Sequence, residues 1–153
     1  MSEHKFLAHL KKDHEEQKKL GKKLSEASAS ENRAALRQKF YDSLYPHIIG
    51  EEASIFKKLK DAKDAKDDEA RDDALEGLQE HHVAKVVLRE LMDLEIDSEV
   101  FKAKAKVLDE INRHHIQEEE KDIFAHLRKL CSEQELSDLF EKYEQAEKKA
   151  KEK

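Results

Sequence analysis

Two ten-residue stretches of this chain are nearly the same, and they constrain its fold more than any other feature. The first, "HIIGEEASIF", begins at His47, and the second, "HIQEEEKDIF", begins 68 residues later at His115. In each stretch a histidine precedes a glutamate by four positions, a spacing that places both side chains on one face of an α-helix. We therefore predict a duplicated helical unit that repeats one functional site.

The composition favours helices throughout the chain. Ala, Glu, Lys, Leu and Arg account for 86 of the 153 residues, Thr and Trp are absent, and there are three Gly and one Pro. Leu, Ile, Val and Phe together number only 35, close to the level of about 20% below which chains tend to stay disordered. We expect something beyond apolar burial to contribute to the stability of the fold.

Apolar residues recur at helical spacing in four long segments of the chain. The first segment covers about residues 3–23, and the second starts near Ser30, which is a suitable N-cap. A charged stretch leads into the third segment, which ends near Glu95. Asp97 or Ser98 is the expected N-cap of the fourth segment.

The fourth segment stops near Cys131, and a fifth helix follows it. The sequence "SEQE" from Ser132 is a capping box that opens this last helix. Long amphipathic helices joined by short loops predict an all-α fold, an antiparallel up-down four-helix bundle with an additional short C-terminal helix. We expect a single domain over 1–153, with the bundle at about 3–131 and the C-terminal helix at about 133–150.

Two residues near the first motif are unusual inside a helix. Pro46 removes one backbone hydrogen bond, so the second helix is expected to kink there or to restart with Pro46 in its first turn. Gly50 lies between His47 and Glu51, where the lack of a side chain is expected to leave room beside them.

Charge and hydropathy exclude several classes of partner. A net charge of -6 and a pI near 5.9 argue against nucleic acid, because binding phosphates needs a clustered excess of Lys and Arg. No apolar run approaches the ~18 residues of a membrane span, and the first residues lack the features of a signal peptide. Cys131 is the only cysteine, which fits a reducing cytosol. We expect a soluble, cytoplasmic protein with no membrane or nucleic-acid partner.

Helix geometry places two histidine–glutamate pairs in the interior of the bundle. His47 and Glu51 fall on the apolar stripe of the second segment, and His115 and Glu119 fall on that of the fourth. His126 lies two turns further along, where a core or supporting role is expected rather than ligation. A buried ionised carboxylate is costly unless it is paired or bound to a metal. Two interior pairs on two helices therefore predict a metal site.

The first and third segments supply one histidine each. His14 lies on the same stripe as Leu7 and Leu10. In the third segment His81 lies on the apolar stripe, whereas His82 lies among polar residues. The repeat offset of 68 residues from His14 points to His82 instead. We prefer His81, and His82 stays open as the alternative.

The donor set predicts two metal ions rather than one. Four histidines and two carboxylates exceed the four ligands of a tetrahedral zinc, and they suit a pair of first-row ions with carboxylate bridges. Nitrogen and oxygen donors without thiolate favour Fe or Mn, although ligand type alone does not exclude Zn. Six protein ligands on two ions leave open positions for water, an oxo or hydroxo bridge, or dioxygen.

The sequence resembles the hemerythrin-like HHE cation-binding domains over nearly its whole length. The shared motifs are "DH" in the first helix, "HIIGEEASIF" in the second, "EHHVAKVVLREL" in the third, "HHIQEEEKDIFAHLRKL" in the fourth and "SEQELSDLFEKYEQA" after it. The resemblance implies a four-helix bundle with a non-heme diiron centre, and its pattern "EHxxxK" favours His81, ahead of Lys85. The ligands that it implies are His14, His47, Glu51, His81, His115 and Glu119.

Departures from the family pattern bear on the function. Members often carry Pro after the phenylalanine of each motif, where this chain has Lys57 and Ala125. The oxygen-carrying hemerythrins have a second histidine in the third helix and an aspartate ligand in the fourth. The resemblance therefore implies sensing, iron handling or redox chemistry more than reversible dioxygen carriage.

We expect a diiron protein that binds or reacts with dioxygen or peroxide, in oxygen or redox sensing or in iron handling. The alternative is a diiron oxidase or peroxidase that removes peroxide. An output from sensing would need a protein partner, which the sequence does not identify.

Overall fold

The computed structural model describes residues 3–28 and 32–152, and it places most of them in five helices. Helix α1 is Lys5–Glu26, α3 is Asp68–Asp93 after a 3₁₀ turn at Ala65–Asp67, and α5 is Glu133–Lys151. Helix α2 comprises Arg33–Glu51, a π-helical turn at Glu52–Phe56 and a last turn at Lys57–Lys60. Helix α4 comprises Phe101–Glu118, a π-helical turn at Glu119–Ile123 and Phe124–Leu130. The described residues include no strand, so the predicted all-α class is confirmed.

The start of α5 follows the predicted capping box. The Ser132 hydroxyl accepts a hydrogen bond from the amide of Glu135, and the Glu135 carboxylate accepts one from the amide of Ser132. These bonds satisfy two amides that a helix start would otherwise leave without partners. The predicted cap of α2, Ser30, lies outside the described residues, and α2 begins directly after Asn32.

The predicted start of α4 is wrong. The helix begins at Phe101, with Val100 at the capping position, rather than directly after Asp97 or Ser98. The Ser98 hydroxyl accepts a hydrogen bond from the amide of Val100, and the Ser98 carbonyl accepts one from the amide of Phe101. Ser98 therefore holds the turn that precedes the helix, because these bonds are made before the helical ladder starts.

The apolar core is divided into two clusters along the bundle. The first cluster includes Phe6, Leu7, Leu10, Ile55, Phe56, Leu59, Ala70, Ala74, Ile123, Phe124, Leu127, Leu136, Leu139 and Tyr143. The second cluster includes Leu24, Phe40, Leu44, Ile48, Ala84, Leu88, Leu91, Phe101, Ala105 and Leu108. Helices α1 and α3 start in the first cluster and end in the second, whereas α2 and α4 run the other way. The six candidate ligand residues lie where each helix passes from one cluster to the other.

Helix α5 packs on the bundle through α2, with smaller contacts to α1. It buries Leu136, Leu139 and Tyr143. The expected room beside Gly50 is occupied by this helix: a Cβ at Gly50 would lie 2.7 Å from two ring carbons of Tyr143 and 3.0 Å from its carbonyl oxygen. The glycine therefore permits the close approach of α5.

Helix α2 passes through Pro46 without a break, so of the two outcomes expected at this residue, a kink or a restart, the restart does not occur. The irregularity comes later, in the π-helical turn that follows Glu51, and α4 repeats it in the turn that begins at Glu119. The Ser54 hydroxyl donates a 2.7 Å hydrogen bond to the carbonyl of Gly50 inside the first of these turns. Single π-helical turns are frequent at functional sites, and the extra residue rotates the side chains that follow.

Candidate metal centre

Six buried side chains from four helices converge between the two apolar clusters. They form two overlapping groups, in each of which the potential ligand atoms lie within 4.8 Å of one another. The first group is His14, His47, Glu51 and Glu119, and the second is Glu51, His81, His115 and Glu119. The structure thus brings together all six residues that the sequence singles out. His82 is exposed and belongs to neither group.

Glu51 turns one carboxylate oxygen toward each histidine pair. Its Oε2 atom lies 3.0 Å from Nε2 of His47 and 3.6 Å from Nε2 of His14. Its Oε1 atom lies 3.3 Å from Nε2 of His81. One carboxylate therefore faces both groups at once.

Glu119, on α4, likewise turns one carboxylate oxygen toward each histidine pair. Its Oε1 atom lies 3.4 Å from Nε2 of His14, and its Oε2 atom lies 2.9 Å from Nε2 of His115. Each group therefore contains two imidazole nitrogens and one oxygen from each of two shared carboxylates. Carboxylates placed in this way are suited to bridge two cations.

Six of the eight potential donor atoms are buried without hydrogen-bond partners in the described part of the chain. A buried polar atom left in this state costs about 1–3 kcal/mol, and six of them in one layer require an explanation. Imidazole nitrogens and carboxylate oxygens are the donors that first-row cations take, so the residues present fit a metal. The atoms are His47 Nε2, His81 Nε2, His115 Nε2, Glu51 Oε2, Glu119 Oε1 and Glu119 Oε2.

Each of the four histidines also has a carboxylate at its other ring nitrogen. Such a partner fixes the ring orientation and the tautomer that leaves Nε2 free to bind a metal. All four acids are next in sequence to a candidate ligand, so the repeated pairs "DH", "EH" and "EE" could have identified them. The Nδ1 contacts are His14 to Glu120 at 2.7 Å, His47 to Asp13 at 3.1 Å, His81 to Glu52 at 3.1 Å and His115 to Glu80 at 2.7 Å.

These four contacts follow the internal duplication. Asp13 on α1 pairs with His47 on α2, and in the second half Glu80 on α3 pairs with His115 on α4 in the same way. The other two contacts cross between the halves, because Glu52 on α2 reaches α3 and an acid on α4 reaches α1. The carboxylates therefore join the halves as well as orienting the histidines.

In the metal-free protein, the carboxylates also determine whether the imidazoles are protonated. Burial opposes a charge on His47 and His115, but the surrounding carboxylates outweigh it and raise the pKa of His47 to about 9 and that of His115 to about 10. Burial likewise opposes a charge on Glu51, yet its contacts, His47 foremost, hold the pKa of this carboxyl well below its usual range. These buried histidines and carboxylates are thus arranged to hold positive charge, and a metal cation would replace the protons on the imidazoles.

Aromatic rings close the site differently in its two halves. Phe56, the last residue of the first motif, contacts the rings of His81 and His115, with centroids 4.8 Å and 6.0 Å away. Phe124, the last residue of the second motif, stacks on His14 at 6.3 Å. The ring of His47 is instead contacted at 5.7 Å by the α5 tyrosine, in an edge-on arrangement.

Tyr143 is a residue of the site that sequence reasoning missed. Its hydroxyl lies 2.9 Å from Nδ1 of His47 and is within donating distance of Asp13 at 2.9 Å and Glu147 at 3.1 Å. Burial raises the pKa of Tyr143, and the neighbouring carboxylates raise it further, so the phenol keeps its proton. The helix that carries it was predicted, but its packing on α2 was not.

His126 does not reach the site, in contrast to the core or supporting role expected for it. Its Nε2 atom pairs with Asp73 at 2.7 Å, and its side chain is partly exposed. The π-helical turn at Glu119–Ile123 lies between His115 and His126. The added residue changes the helical register, so a count of about 100° per residue fails across it.

Sequence comparison agrees with this geometry. The family model of the hemerythrin HHE cation-binding domain matches residues 5–127, a range that includes all six side chains. No significant match to a curated protein or to a solved structure accompanies it. Among the described helices, none combines the length and apolar character needed to cross a membrane. The chain belongs to the hemerythrin HHE cation-binding domain family.

Proposed function

We propose that this domain binds two iron ions inside an antiparallel up-down four-helix bundle. One ion would be held by His14 and His47, and the other by His81 and His115. Glu51 and Glu119 would bridge the two ions. The observation that carries this proposal is the orientation of the two carboxylates, each of which turns one oxygen toward one histidine pair and the other oxygen toward the second pair.

The choice of iron rests on the donor chemistry. Imidazole and carboxylate without thiolate suit iron, and Mn or Zn can use the same donors. Each ion would receive two nitrogens and two bridging oxygens from the protein. Further positions would stay open to water, to an oxo or hydroxo bridge, or to a small ligand, whereas a closed structural zinc site is saturated by four protein ligands.

We propose further that the domain binds or reacts with dioxygen, in oxygen or redox sensing or in iron handling. Iron, when bound, supplies the redox chemistry with dioxygen or peroxide. The chain contributes the rest: Glu52, Glu120, Asp13 and Glu80 orient the imidazoles, and the apolar clusters on either side exclude water. This division matches the general role of a protein around a metal.

The test exposes the reduced, iron-loaded protein to dioxygen, then removes the gas, while near-UV and visible absorption is recorded. We expect an absorption band on exposure that reverses only in part, because two carboxylates stabilise the oxidised ions. His47→Ala and His115→Ala should lose the band, and His82→Ala, at an exposed position, should keep it. An unchanged spectrum would contradict the dioxygen proposal.

Two other outcomes would change the functional assignment. Rapid and full reversal would favour reversible carriage of dioxygen over sensing. Sustained consumption of added peroxide would favour the alternative function, a diiron oxidase or peroxidase. His82→Ala again provides the control for each outcome.

A further inference from the structure

We infer that Tyr143 makes the two metal positions unequal, so that the ion beside His14 and His47 is released more slowly than the ion beside His81 and His115. The inference rests on the proposed two-ion site. It concerns α5, which lies beyond residues 5–127 of the family match.

His47 is supported by polar groups from two helices. Its Nδ1 atom has two polar partners, the Asp13 carboxylate at 3.1 Å and the Tyr143 hydroxyl at 2.9 Å. The single proton of the Tyr143 hydroxyl can be donated to Asp13 at 2.9 Å or to Glu147 at 3.1 Å, while its oxygen can accept from Nδ1 of His47, and the side chain is fully buried. The imidazole is therefore held from α1 and from α5 at the same time.

His115, the counterpart of His47 in the second motif, is supported from one helix. In the described part of the chain, its Nδ1 atom has one polar partner, Glu80 at 2.7 Å. The polar groups beyond Glu80 are Glu118 and His114, whose side chains are half-buried and exposed, respectively. The ring contact comes from Phe56, which has no polar atom. Among the residues that the structure describes, the second half thus has no equivalent of the Tyr143 hydroxyl.

Because His47 has two polar partners at Nδ1 and His115 has one, we expect the two metal positions to release their ions at different rates. Hydrogen bonds to the outer nitrogen of a metal-binding imidazole fix its orientation, and losing one typically weakens metal binding by about 10- to 100-fold. A ring held by two groups loses less freedom when it binds a metal than a ring held by one. Tyr143 is therefore a positioning residue that acts through His47 and Asp13.

The experiment uses the full chain loaded with Co²⁺, whose visible absorption reports its coordination. After a stoichiometry of two ions per chain is established, excess chelator is added and the loss of absorption is followed. We expect two phases in the unaltered protein. Tyr143→Phe, which keeps the ring, should accelerate the slow phase about tenfold and leave the fast phase unchanged.

Matched variants separate positioning from general loosening of the fold. Glu80→Gln should accelerate only the fast phase, because it alters the partner of His115. Tyr41→Phe removes a hydroxyl from a half-buried tyrosine outside the site and should change neither phase. Glu147→Gln replaces a charged acceptor of the Tyr143 hydroxyl with a weaker, neutral one and should act in the same direction as Tyr143→Phe, with a smaller effect.

The outcomes separate this inference from the proposed function. A single release phase in the unaltered protein, an unchanged slow phase in Tyr143→Phe, or equal acceleration of both phases would overturn the inference while leaving the two-ion site intact. A stoichiometry below two would overturn the proposed function, and the inference with it.

Discussion

The Nε2 atom of His47 and the Oε2 atom of Glu51 lie 3.0 Å apart on successive turns of α2, yet both are buried without a hydrogen-bond partner in the described residues. Asp13 accepts from Nδ1 of His47, so Nε2 is the ring nitrogen that faces Glu51 and can hold either a proton or a metal ion. Two acceptor atoms this close repel each other unless positive charge lies between them. The spacing of four residues in the sequence thus brings two potential metal-binding atoms together in the structure.

The shared carboxylates predict a loss of both ions when either one is removed. Glu51→Ala or Glu119→Ala should reduce the iron content to well below one ion per chain, because each carboxylate faces both histidine pairs. His115→Ala should retain more iron, since it removes a donor from one group only. Metal analysis after anaerobic loading provides the measurement. Equal iron content in Glu51→Ala and His115→Ala would argue against bridging.

Metal should stabilise the fold. Binding to the native state adds about 2.7 kcal/mol of stability when the free ion is at 100 times its dissociation constant. A chain of this size should then melt about 5–10 °C higher with metal. Thermal unfolding followed by circular dichroism tests this, with Mg²⁺ as the control because it prefers oxygen ligands. Identical melting with and without iron would show that metal adds no stability.

The acids beside the ligands should control affinity without controlling the fold. Glu120→Gln replaces the carboxylate at Nδ1 of His14 and should weaken metal binding by about 10- to 100-fold. Melting of the metal-free protein should change little, because the amide can still hydrogen-bond to the ring. Glu141→Gln, at an exposed position of α5, provides the control. Competition with a coloured chelator measures the affinity, and unchanged affinity in Glu120→Gln would refute the role of this contact.

A side chain at Gly50 should displace α5. Alanine is normally the more stable residue in a helix by about 0.5–1 kcal/mol, but here its Cβ would lie 2.7 Å from the Tyr143 ring. Overpacking of this kind typically costs about 1–3 kcal/mol, so Gly50→Ala should lower the free energy of unfolding measured in urea. It should also speed metal release as Tyr143→Phe does. A higher free energy of unfolding in Gly50→Ala would contradict this prediction, because it would show that α5 can move without loss of stability.

The fold class and the convergence of the six candidate ligands could be predicted because their signals are local. Helical periodicity and a four-residue spacing depend only on neighbouring turns, so His47 with Glu51 and His115 with Glu119 could be placed on interior faces from sequence. The same reasoning separated His81 from the exposed His82.

The features of the site that could not be predicted depend mainly on how segments distant in sequence pack together. Tyr143 lies 96 residues from His47 along the chain, and no local pattern connects a tyrosine on the last helix with a histidine on the second. The π-helical turns after Glu51 and at Glu119 also lie outside a regular helical count, which is why His126 was misplaced. The four acids that contact the imidazoles could have been predicted from the sequence, because each is next to a candidate ligand.

The most direct test of the two-ion site is the iron stoichiometry of the unaltered protein. The metal-free chain is titrated with Fe²⁺ under anaerobic conditions, excess metal is removed, and iron and protein are quantified in the same sample. We predict saturation at two ions per chain, with His47→Ala and His115→Ala each below two and His82→Ala at two. Saturation of the unaltered protein at one ion, or iron content unaffected by His47→Ala and His115→Ala, would contradict the proposed site.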